Sequence, residues 1–144
     1  MKVLFICTGN TCRSPMAEGL LNSIAKKNNL DIEAKSAGVY AFDGDVANKN
    51  AVSVLEALGI DISDHKSQHV SKELVDEVDL ILTMSRSHKE TLILNYPSAK
   101  DKVFLLNEYA FDDDRDIADP FGRDLHNYQI TRDEILKALN HIKW

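Results

Sequence analysis

Residues 3–16 read Val3-Leu4-Phe5-Ile6-Cys7-Thr8-Gly9-Asn10-Thr11-Cys12-Arg13-Ser14-Pro15-Met16. Val3 to Ile6 is an apolar run rich in β-formers, short enough for a strand buried on both faces. The run stops at Cys7 and passes through a Gly-Asn turn. It reaches Ser14-Pro15, a helix N-cap followed by the residue best suited to the first helical position. Met16, Leu20, Leu21 and Ile24 then recur at helical spacing. A strand, a tight loop and a helix N-terminus gather backbone N–H groups and a positive dipole end around one concavity, a natural place for phosphate. Cys7 supplies a nucleophile at the start of the loop, and Arg13 supplies a bidentate oxyanion clamp at its end. The loop is suited to taking a phosphoryl group onto sulfur.

A cysteine at a strand end is, taken alone, most often a small buried hydrophobe. Here the turn pair, the cap, the proline and the periodic helix agree with one another. The nucleotide P-loop pattern G-x-x-x-x-G-K-[ST] is absent, as is the G-x-G-x-x-G of a dinucleotide fold.

A chain of 144 residues, 44% hydrophobic and 28% charged, can bury a full core as one domain spanning residues 1–144. The net charge of −6 argues against nucleic acid as a partner, because no basic stripe is available to neutralise phosphates. The apolar start is too short for a signal peptide, and no segment is long enough to span a membrane. Two cysteines without an export signal point to the cytoplasm.

Asp31–Ser36 alternates as a half-exposed edge strand, and Ser36-Ala37-Gly38 turns. The spacing predicts a second helix over Val46–Leu58, stopped by Gly59. Ser71 caps a short helix through Asp76, and Val78–Met84 reads as a central strand. Ser87-His88-Lys89-Glu90 forms a capping box for a helix ending before Tyr96-Pro97. Val103–Leu106 is the fourth strand, and Leu125, Tyr128, Ile135, Leu139 and Ile142 mark an amphipathic last helix. Alternating strands and helices predict a three-layer α/β fold: a four-stranded parallel sheet with helices on both faces. Such sheets bind ligands beyond the carboxyl ends of their strands, where the strand order reverses.

Transfer of a phosphoryl group to a thiolate needs a general acid at the leaving atom. Asp119 is the candidate. Pro120 fixes the backbone after it and Gly122 frees the turn, although an Asp-Pro pair is also a common plain turn. Arg13, the helix N-terminus and the Ser14 hydroxyl stabilise a thiolate at Cys7. His65 and His69 lie four apart, but no cysteine or carboxylate completes a metal site. Neither metal nor cofactor is expected. His69, His88, His126 and His141 read as surface or core-edge residues.

The stretch Cys7-Thr8-Gly9-Asn10-Thr11-Cys12-Arg13-Ser14-Pro15, with a distal Asp119-Pro120, resembles the low-molecular-weight protein-tyrosine-phosphatase family over essentially the whole chain. Ser36-Ala37-Gly38 and Leu82-Thr83-Met84 are part of the likeness. The resemblance implies Cys7 as nucleophile through a phosphocysteine intermediate, and Arg13 as phosphate clamp. Asp119 would act as acid and then as base for water. It implies phosphate binding by Thr8, Gly9, Asn10, Thr11, Cys12 and Ser14. Ser36 and His65 would shape the loop, Pro120 and Phe121 would support the acid, and Cys12 would form a reversible disulfide with Cys7. The implied partner is a phosphorylated protein, met by a monomer.

Phosphotyrosine-specific members of the family often carry a bulky aliphatic residue where this chain has Thr11, and a second aromatic where it has Gly122. Thr11 with Asp119-Pro120-Phe121-Gly122 is similar to the bacterial branch that acts on phosphoarginine. The reading is a phosphotyrosine-type phosphatase, with phosphoarginine as the alternative substrate. Thioredoxin-coupled arsenate reductases are similar in fold and loop but use cysteines well downstream, and none follows Cys12. A non-enzymatic phosphate-binding module would keep Cys7 and Arg13 but would have no use for Asp119.

Overall fold

Strand β1 (Lys2–Cys7) is buried from Val3 onward, so it needs cover on both faces. The computed structural model describes residues 1–144. It places β1 inside a parallel sheet ordered β2-β1-β3-β4, with β2 at Glu33–Gly38, β3 at Leu80–Thr83 and β4 at Val103–Leu105. Alternate side chains feed two cores. Val3, Phe5, Leu80 and Leu82 pack with residues of α1 (Arg13–Lys27), α2 (Lys49–Glu56), α5 (Leu106–Phe111) and α6 (Leu125–His141). Leu4, Ile6, Ile81 and Val103 pack with Leu74 and Val75 of α3 (Lys72–Glu77) and Leu92 of α4 (Arg86–Asn95). This is the expected three-layer α/β architecture. The chain leaves β1 for β2 on one side and later returns to place β3 on the other, so the switch point lies at the carboxyl end of β1.

Several boundaries differ from those the sequence predicts. Ser36, Ala37 and Gly38 are strand rather than turn, because β2 pairs along all of β1, from Lys2 with Glu33 to Cys7 with Gly38. Helix α2 begins at Lys49, since the Asn48 side chain caps it at the Asn50 N–H and Val46 bridges to Lys66 instead. It ends at Glu56, two residues before the predicted Leu58, and Gly59 (φ 77°) closes the turn beyond it, donating to Glu56 O while Ile60 donates to Leu55 O. The cap of α4 is Ser85, not Ser87. Leu106 opens a short helix rather than closing β4, and a 3-10 helix spans Pro97–Lys102. Ser14 is not a cap. Helix α1 already starts at Arg13, which leaves the Ser14 hydroxyl free for other work.

Candidate active site

Between the end of β1 and the first turn of α1, the backbone N–H groups of the six residues Thr8 to Arg13 have no acceptor within the protein. Unpaired donors at a helix N-terminus make an anion cradle. A cavity of about 210 Å³ opens there, lined by Cys7, Thr8, Gly9, Thr11, Cys12, Arg13, Asp119 and Phe121. Cys7 and Cys12 are both free thiols.

The loop holds its shape through Asn10, which is fully buried in a left-handed conformation (φ 57°). Asparagine tolerates that backbone better than most side chains. The Gln68 N–H donates to Asn10 Oδ1 at 3.0 Å, which fixes the amide orientation. Asn10 Nδ2 then donates to Ser14 Oγ at 2.8 Å and to Ser36 Oγ at 2.9 Å. Ser36 donates to Glu18 Oε1 at 2.7 Å, and Ser14 lies 2.8 Å from Cys7 Sγ, where its proton can stabilise a thiolate. His65 Nε2 meets the Asn10 carbonyl at 2.8 Å. Burial pushes the Glu18 carboxyl above its ordinary value, opposed by the Ser36 hydrogen bond.

Arg13 is buried, and its Nη1 donates to Ile117 O at 2.9 Å. Its Nη2 lies 3.6 Å from Asp119 Oδ2. Ile117 is itself pinned, its N–H donating to Met84 O just past β3. Asp119 is half exposed, and Pro120 beside it is buried. Asp119 Oδ1 accepts the Phe121 N–H at 3.1 Å, which holds Phe121 as an exposed ring at the cavity mouth. Cys12 Sγ meets the buried Tyr128 hydroxyl at 3.4 Å, and burial raises the Cys12 thiol above its ordinary value. Thr11 Oγ1 has no partner nearer than that sulfur at 3.8 Å.

The structure thus brings together every residue the sequence nominates: Cys7 to Ser14, Ser36, His65 and Asp119 to Phe121. It adds Glu18, Gln68 and Tyr128. Glu18 was legible in part, because it stands four residues after Ser14 on the same face of α1. His88, read from the sequence as a surface or core-edge residue, is buried. Its Nε2 lies 2.8 Å from Thr8 Oγ1 and its Nδ1 lies 2.9 Å from Ser85 Oγ. Burial first, and the Arg13 charge second, push its pKa down to about 4, so the ring is neutral at pH 7.

A thiol beside six unpaired N–H groups, a guanidinium and a carboxylate can accept a phosphoryl group, protonate the group that leaves, and then activate water. Comparison with known proteins agrees. The family model described as low molecular weight phosphotyrosine protein phosphatase matches residues 2–143. A protein-arginine-phosphatase of Bacillus subtilis (strain 168) is 40% identical over 142 residues, covering 99% of this chain and 94% of its own. The crystal structure of a low molecular weight protein tyrosine phosphatase from T. tengcongensis superposes with a TM-score of 0.94 at 45% identity, covering 98% of this chain and 96% of the other. The YwlE arginine phosphatase, as a cysteine-to-serine mutant with a phosphorylated active site serine, superposes with a TM-score of 0.95 at 40% identity. That match covers 98% of this chain and 92% of the other.

Proposed function

The chain belongs to the low molecular weight phosphotyrosine protein phosphatase family, and from that premise we propose how its own residues carry out the hydrolysis. It is a cysteine-dependent protein phosphatase. Cys7 Sγ attacks phosphorus while Asp119 protonates the departing oxygen or nitrogen, leaving phosphocysteine on the enzyme. Asp119, now a carboxylate, takes a proton from water, which attacks phosphorus and releases inorganic phosphate and the Cys7 thiolate. Arg13 and the N–H groups of residues 8–13 hold the equatorial oxygens throughout. The observation that carries this reading is the run of six unpaired N–H groups that directly follows Cys7. A relative caught with phosphate on a serine substituted for its cysteine supports it. Cys7→Ser should abolish release of phosphate from an aryl phosphate yet still bind orthovanadate. Appreciable turnover by that variant refutes the covalent route.

The two substrate readings differ at Thr11. It lines the cavity, and its hydroxyl has no strong partner within the loop. A phosphoarginine guanidinium presents N–H groups that gain from such an acceptor, whereas the phosphotyrosine ring gains nothing from it. We therefore favour phosphoarginine in proteins as the substrate, with phosphotyrosine as the second reading, and the Bacillus subtilis relative supports that order. Thr11→Ile should lower turnover of phosphoarginine peptides strongly and spare or raise that of phosphotyrosine peptides. Proportional loss of both returns Thr11 to a purely local role.

The reading is completed by one phosphatase domain over residues 1–144, acting as a cytoplasmic monomer on phosphorylated protein. It includes no metal, nucleic acid or membrane. The net charge of −6 supports the exclusion of polyanions. No helix is long and apolar enough to cross a membrane.

A further inference from the structure

Three groups are stacked beside the cradle on its β3 side. Thr8 Oγ1 has one partner in the protein, His88 Nε2 at 2.8 Å. The other ring nitrogen, Nδ1, meets Ser85 Oγ at 2.9 Å. Ser85 Oγ also accepts the His88 N–H at 3.4 Å as the cap of α4, and meets Ser87 Oγ at 3.0 Å. A neutral imidazole carries one proton, so which ring nitrogen holds it decides what Thr8 does with its own.

The surroundings choose. Ser85 is buried, whereas Ser87 is exposed and can send its proton to Ser85 or to water. The Ser85 proton is therefore free to go to Nδ1, the one acceptor on the ring that faces it. With Ser85 donating to Nδ1, the ring proton sits on Nε2 and is donated to Thr8 Oγ1. With its lone pair engaged from behind, the Thr8 hydroxyl proton is available to the cavity that Thr8 lines together with Cys7. Burial and the Arg13 charge hold the ring in the neutral form this arrangement needs, against the opposing pull of Asp116 and Asp119.

We propose that His88 is a positioning residue that turns the Thr8 hydroxyl toward the bound phosphoryl group, so that Thr8 serves the cradle as a side-chain donor. The sequence places Thr8 among the phosphate-binding loop residues without a role for its side chain, and His88 as a surface or core-edge residue. The inference rests on the phosphatase reading above, because a donor at that place matters only to an oxyanion beside Cys7.

The test couples Thr8→Val, His88→Leu and His88→Gln. Its readouts are turnover of an aryl phosphate and inhibition by orthovanadate, which imitates the five-coordinate phosphorus. Thr8→Val and His88→Leu should each weaken vanadate binding and lower kcat/KM by roughly tenfold to a hundredfold, the worth of one hydrogen bond to a charged acceptor. The double variant should be no worse than the poorer single one, since both remove the same donor. His88→Gln, whose amide nitrogen can replace Nε2–H, should recover most of the loss. Additive losses, or a Thr8→Val enzyme equal to wild type, overturn the proposal. If His88→Leu does not fold, nitrogen-15 NMR of the wild-type ring in the vanadate complex decides: a proton on Nε2 supports the proposal and one on Nδ1 overturns it. A wild-type protein that neither binds vanadate nor hydrolyses the aryl phosphate overturns this inference and the phosphatase reading together. Normal wild-type turnover with unaffected variants overturns this inference alone.

Discussion

Arg13 and Ile117, 104 residues apart, are joined by a 2.9 Å hydrogen bond from Nη1 to the backbone carbonyl, while Nη2 of the same guanidinium stands 3.6 Å from Asp119. One planar fork therefore spans the phosphate cradle and the loop that bears the acid. A lysine ammonium keeps the charge but cannot serve two fixed directions. Arg13→Lys should cut kcat by about a hundredfold or more, the usual cost of losing a preorganised oxyanion donor. Steady-state rates on an aryl phosphate check this. Near-normal kcat would mean that charge alone suffices.

Asp119→Asn should slow phenyl phosphate far more than nitrophenyl phosphate, whose leaving group hardly needs a proton. General acids contribute about a hundredfold to ten-thousandfold. An equal loss on both esters would reassign Asp119 to holding the turn through its bond to the Phe121 N–H.

Gly38 should tolerate no side chain. A Cβ there would collide with the Thr8 carbonyl and come within 3.0 Å of Asn10 N, both in the cradle, and within 2.9 Å of Ala41 Cβ. Gly38→Ala should cost about 1–3 kcal/mol of stability, as overpacking usually does. It should also weaken vanadate binding, because the displaced atoms belong to the loop. Denaturant midpoints and inhibition constants measure the two effects separately.

His88 makes stability depend on pH in a defined window. Its pKa is about 4 in the folded protein against 6.5 as the ordinary value, so between these limits the unfolded chain takes up a proton that the folded one refuses. Stability therefore falls as pH drops from 6.5 toward 4, by about 3 kcal/mol from this group. Urea unfolding at pH 7 and pH 4 should show a smaller drop for His88→Gln than for wild type. Equal drops would show that the ring is hydrated in solution.

Peroxide should inactivate the enzyme reversibly through a Cys7–Cys12 disulfide, since Cys12 is the one other thiol. Dithiothreitol should restore wild type and restore Cys12→Ser poorly. Equal recovery would leave Cys12 as packing against Tyr128.

The β1–loop–α1 unit was legible because Val3 to Met16 carries its own punctuation: an apolar run, Gly-Asn, then a serine and a proline. Ser14 misled about its role because serine before proline is a cap by local rules, and only the neighbouring Cys7 and Asn10 recruit it elsewhere. The short α5 was hidden because Leu106 continues the apolar run of Val103 to Leu105. His88 and Gln68 reach the loop from 80 and 58 residues away, and no local pattern announces such pairs. The strand order that brings them there was legible only as a class of fold.

The separations that concealed the site also govern when it can exist. Cys7 is made before every residue that completes the loop around it: Ser36, Gln68, His88 and Ile117, the last 104 positions downstream of Arg13. A nascent chain thus carries its nucleophile long before it has an acid or a finished anion cradle. Contacts of such long range make folding slow as well as late. Turnover should appear only after synthesis has passed Asp119, and a chain cut before Ile117 should leave the cysteine silent.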